Sequence, residues 1–158
     1  MKKFALEIKW GVIFTIVLLL WMVMEKLLGW HGKHIDKHAI YTNFFAILAI
    51  LIYVLALLEK RKNIYNGKMS WLQGFLAGIG VTVVVTVLSP LSQYITSTVI
   101  TPEYFPNVIE HAVKIGKMDL AQAEKYFSLQ NFIIQSVVGA LLMGIVTSAV
   151  VAIFVKRK

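Results

Sequence analysis

"WLQGFLAGIGVTVVVTVLSPLSQYITSTVI", Trp71 to Ile100, runs for 30 residues without one charged side chain. As a helix it would be about 45 Å long at 1.5 Å per residue, against about 30 Å for a hydrocarbon core. It therefore reads as a membrane span that must tilt, protrude or break. Pro90 supplies the place for a kink, since it removes a backbone donor and crowds the preceding turn. The polar "SQYITST" that begins at Ser92 reads as the last turns emerging from the membrane.

Three further apolar runs flank it, at about Trp10 to Leu28, Ala39 to Leu58 and Leu129 to Val155. They are continuous and lack a period of two, which excludes barrel strands. The chain is 58% hydrophobic and 15% charged, where a soluble domain averages about 45–50% and about 25%. The expected fold is all-α: one polytopic domain over 1–158, with four transmembrane helices. The first run begins like a signal peptide, but it lacks a small-x-small cleavage site and reads as a retained helix. With no cysteine, disulfides, thiolate metal sites and cysteine nucleophiles are excluded.

Charge placement gives the orientation. Ten basic residues (Lys2, Lys3, Lys9, Lys60, Arg61, Lys62, Lys68, Lys156, Arg157 and Lys158) and only two acids (Glu7 and Glu59) occupy the two ends and the middle loop. The other two loops hold six basic and six acidic residues. The whole net charge of +8 thus lies on one side of an alternating topology. By the positive-inside bias both termini are cytoplasmic, in a bacterial inner membrane. The basic clusters sit at span ends without an aromatic reading surface, so no nucleic-acid partner is expected.

Small residues form i, i+4 rows on the last two spans: Gly74, Gly78, Thr82 and Thr86, leading to Pro90, and Ser136, Ala140, Gly144 and Ser148, leading to Ala152. In lipid, close backbone approach along such rows is a main source of helix association. Contact between helices three and four, or homodimerisation through one row, would use them. The segment 101–128 is expected as an outer loop. It would carry an amphipathic helix from about Asn107 to Ile115 on the membrane surface, then a helix capped by Asp119 with Gln122.

The stretch "GKMSWLQGFLAG", Gly67 to Gly78, with the Pro102-led loop and the closing "KRK", resembles a domain-of-unknown-function family of small four-helix membrane proteins of Bacteroidetes-type bacteria. The resemblance spans nearly the whole chain. It implies fold and location and carries no activity.

"GWHGKHIDKH", Gly29 to His38, is the candidate for chemistry. His31, His34 and His38 would share one face if the segment were helical, and His111 falls on the same outer side. With Asp36, Glu103 or Glu110 they form a chemically sound set for zinc or copper. A solvated hairpin and a proton switch are the other readings. Glu25 ends the first span beside Lys26, where both can snorkel into water. No Gly-x-Ser-x-Gly, His-Glu-x-x-His or phosphate loop is present, so neither an enzyme nor a cofactor is expected. The leading expectation is a non-enzymatic scaffold or accessory subunit with a membrane-protein partner or a second copy. The alternatives are a small transporter or channel-like component using Glu25 and Pro90, and an outward-facing metal or pH sensor using the loop histidines.

Overall fold

The computed structural model describes residues 4–157, which carry seven α-helices and no strand. These are α1 (Ala5–Leu27), α2 (Ile35–Tyr41), α3 (Phe45–Asn63), α4 (Trp71–Ile95), α5 (Tyr104–Lys114), α6 (Leu120–Tyr126) and α7 (Leu129–Val155). A 3-10 turn, Thr42–Phe44, joins α2 to α3, and a π turn, Thr96–Ile100, extends α4. Four helical stretches are long and apolar enough to cross a membrane: Ala5–Leu27, Ile35–Asn63, Trp71–Ile100 and Leu129–Val155.

The distribution of side chains is inverted relative to a soluble protein. Leu27 and Phe154 are each 80% exposed and Val87 71%, while Thr82 and Ser148 are fully buried. Apolar surface on this scale needs an apolar surrounding. The interior is closed by small residues instead. Gly74 faces Ala152, Gly78 faces Ser148, and Gly144 faces Thr82, so α4 and α7 run antiparallel in close contact. Thr82 Oγ1 donates to the Gly78 carbonyl at 3.0 Å, and Tyr53 on α3 is hydrogen-bonded to it at 2.8 Å. Leu57, Met69, Val81 and Val151 fill the space around this contact.

Helix starts follow their caps. Ser70 accepts from the Gln73 backbone N–H at 3.2 Å while the Gln73 side chain accepts from Ser70 N–H at 2.8 Å, a reciprocal capping box. Asp119 caps α6 as its sequence predicts. α6 ends at Tyr126, and Ser128 starts α7 as a separate helix, accepting from Asn131 N–H. Pro90 lies inside α4 without ending it. The Thr86 carbonyl that Pro90 cannot serve accepts from the Ser89 hydroxyl at 2.8 Å, which replaces the missing donor.

At the basic end, Lys60 on α3 donates to Glu7 on α1 at 2.6 Å, with both side chains buried. Lys9 and Trp10 both donate to Glu59. Met69 and Arg157 pair backbone to backbone, tying the turn before α4 to the chain end. None of these cross-links is visible as a spacing in the sequence. At the opposite end, α5 packs on α2 and α6 and covers the histidine segment.

Candidate functional site

The site is built where α1 stops. Gly29 takes φ +75°, a left-handed conformation that only glycine enters without strain. Its N–H bonds to the Lys26 carbonyl, and Trp30 N–H bonds to that of Glu25 at 3.0 Å. These two bonds make a Schellman ending. The turn folds the next residue, His31, back over the last turn of α1 and directly onto Glu25. The His34 N–H then bonds to the Gly29 carbonyl at 2.8 Å, and α2 begins one residue later. Trp30 stacks on Tyr41 with ring centroids 4.5 Å apart, holding the hairpin shut.

Glu25 is fully buried and His31 is 3% exposed. One carboxylate oxygen accepts from the Trp21 indole N–H, one turn earlier on α1. The other faces both histidines: His31 Nε2 at 2.9 Å and His38 Nδ1 at 3.3 Å. The His38 approach has ion-pair distance but not hydrogen-bond geometry, so His38 Nδ1 is buried without a hydrogen-bond partner, as is His31 Nδ1. Tyr104 at the start of α5 closes the cluster, its ring 5.4 Å from that of His31 and 5.1 Å from that of His38. Burial, then the charges of Glu25 and Tyr126, push its hydroxyl up to about 12, so Tyr104 is a neutral wall. Asn107 donates to the His31 carbonyl at 2.9 Å and fastens α5 over the turn.

This arrangement corrects two expectations. The histidines do not share a helical face, because α2 starts at Ile35 and His31 precedes it in the turn. Glu25, His31 and His38 bring their ligand atoms within 4.8 Å of one another, and they are the one such group among the described residues. His34, the residue before α2, and His111, on α5, lie outside it. Glu25 does not snorkel beside Lys26 either. It turns inward while Lys26 reaches the Ile100 carbonyl and Glu103. The signal that could have found this cluster is a carboxylate six residues before a histidine, with a glycine in the C′ position of the helix between them.

The cluster opens onto a cavity of about 510 Å³ between α1, α3, α4 and α7. Leu18, Met22 and Phe45 give it apolar walls, and Tyr53 also lines it. Thr101, which also lines it, has a buried hydroxyl without a partner. The α7 row is thereby divided: Ser136 and Ala140 line the cavity, Ser148 packs on Gly78, and Gly144 does both. On α4, Gly74, Gly78 and Thr82 form the tight contact, while Thr86 has a buried hydroxyl without a hydrogen-bond partner. Pro90 does not line the cavity, whereas its neighbour Ser89 does.

A family model described as "Protein of unknown function (DUF4199)" matches residues 9–157. No curated protein and no solved structure matches the chain.

Proposed function

The chain belongs to the DUF4199 family, and from that premise we propose a non-enzymatic accessory protein whose outer chamber holds one small amphiphile. In this reading it is a four-helix bundle in the inner membrane of a Bacteroidetes-type bacterium, with both termini cytoplasmic and the Glu25 end outward. The observation that carries the reading is the 510 Å³ cavity with apolar walls and unpartnered polar atoms gathered at one end. Ligand sites have this size and this division between an apolar body and a few polar anchors. The Thr101 hydroxyl suits a head group that accepts a hydrogen bond.

The close α4–α7 contact and the buried Glu7–Lys60 pair fill the cytoplasmic half, which supports a receptor over a pore. Gly78 and Gly144 are occupied inside the chain, so a partner or second copy would engage the exposed helix faces rather than these rows. The test is native mass spectrometry of the protein in lipid nanodiscs, with decanoic acid as the probe. Wild type should take up one decanoate per chain, and Gly139→Trp should exclude it. The choice of site follows from the open space at Gly139, where an added Cβ meets no atom within 4 Å. No saturable uptake by wild type, or equal uptake by the filled variant, would refute the reading.

A further inference from the structure

Glu25 and its two histidines are arranged for more than a buried hydrogen bond. We infer that Glu25, His31 and His38 form a binding site for a first-row divalent metal ion such as Zn²⁺, with its open coordination position facing the chamber. Zinc takes imidazole nitrogen and carboxylate oxygen at about 2.0–2.2 Å, so tetrahedral ligand atoms stand roughly 3.3–3.5 Å apart. The two recorded approaches to the Glu25 oxygen are 2.9 and 3.3 Å. All three ligand atoms lie within 4.8 Å, so side-chain adjustment closes the set without moving a helix.

Three observations point to a cation rather than to an accidental cluster. His38 Nδ1 faces a carboxylate oxygen without a hydrogen bond between them. In the tautomer that carries its proton on Nε2, His38 Nδ1 turns a lone pair toward the carboxylate, and a cation between the two atoms would engage both. The far oxygen of Glu25 is already held by Trp21, which fixes the carboxylate with its other oxygen toward the histidines, as outer partners do for metal ligands. Lastly, His31 and His38 both line the cavity, so three protein ligands leave a fourth position reachable by a small molecule. Two nitrogens and one oxygen favour zinc, cobalt or iron over the all-oxygen preferences of calcium and magnesium.

The inference stands apart from the amphiphile reading, because the cluster needs no chamber ligand to bind an ion. It is tested on the full chain without an affinity tag, in nanodiscs, stripped with chelator and titrated with Co²⁺. The expected result is one Co²⁺ per chain with the intense visible absorption of a four-coordinate ion. His31→Ala or His38→Ala should weaken binding by more than about 100-fold, exceeding the loss typical of removing an outer-shell partner. His34→Ala and His111→Ala should bind as wild type does. Circular dichroism checks that each variant keeps its helix content. If His31→Ala does not, His38→Asn carries the comparison, since His38 is the more exposed ligand (17%). Wild type taking up no stoichiometric Co²⁺ would overturn the site. So would binding that survives the His31→Ala/His38→Ala double variant, or binding lost with His34 or His111. Co²⁺ uptake without decanoate uptake would leave the metal site standing and remove the chamber reading.

Discussion

Adding one methyl group at Gly78 should separate the two central helices. A Cβ there would lie 2.5 Å from Ser148 Oγ, 2.6 Å from its Cβ and 3.1 Å from its Cα. Carbon atoms in contact prefer about 3.5–4.0 Å, so the overlap approaches 1 Å. A rotamer change of Ser148 relieves only the first contact, because the other two involve atoms fixed to the α7 backbone. It would also break the Ser148 hydroxyl's 2.6 Å bond to the Gly144 carbonyl. Overpacking of this kind costs about 1–3 kcal/mol, and the backbone contact puts Gly78→Ala in the upper part of that range. Alanine gains helix propensity at the same time, up to about 1 kcal/mol, so the clean comparison is with Gly139→Ala. Gly139 is also inside a helix but has no atom within 4 Å of an added Cβ, so the propensity gain cancels in the difference. Equilibrium unfolding in mixed micelles, titrated with a denaturing detergent, should place Gly78→Ala about 2–3 kcal/mol below Gly139→Ala. A difference under about 0.5 kcal/mol would refute the reasoning. A change in oligomeric state with unchanged monomer stability would move the contact to a dimer interface.

Lys60→Met leaves the buried Glu7 carboxylate without its partner and should cost about 3–5 kcal/mol. Glu7→Gln/Lys60→Met should recover most of that in the same unfolding assay, and equal stability of single and double variants would contradict the pairing. Gly29→Ala forces a side chain into φ +75° and should destabilise by about 1–2 kcal/mol. The same change should weaken Co²⁺ binding, since it displaces His31, and an unaltered cobalt titration would show that the turn does not position the ligand. Ser89→Ala should cost about 0.5–1.5 kcal/mol by leaving the Thr86 carbonyl unserved. The loss should vanish in a Pro90→Ala background, where the backbone N–H returns, and a double-mutant cycle without coupling would refute that substitution of donors.

The long helices were legible because their cause is compositional. An uncharged run such as Trp71 to Ile100 has no other stable state in lipid, and the small residues at i, i+4 name the face that packs. The Asp119 cap with Gln122 was similarly local, and the reciprocal cap at Ser70 and Gln73, equally local, emerges only in the structure. The grouping of Glu25 with His31 and His38 is not legible as a spacing, because the i, i+3, i+7 pattern applies along a helix and Gly29 ends one before His31. A left-handed residue reverses the chain, so the neighbour that matters to His31 is Glu25 behind it and not His34 ahead. The pair between Glu7 and Lys60 was out of reach for a different reason. It depends on the relative heights of α1 and α3, which no single segment encodes.

The most direct test of the whole arrangement is which side of the membrane each end faces, because the chamber and its Glu25 cluster must open outward for the account to hold. The chain has no cysteine, so single substitutions report cleanly with a membrane-impermeant maleimide on bacterial spheroplasts. Lys33→Cys and Lys117→Cys should label on intact spheroplasts. Lys62→Cys and Lys68→Cys should label only after permeabilisation. The reverse pattern would put the Glu25 cluster and its cavity on the cytoplasmic side and contradict the account.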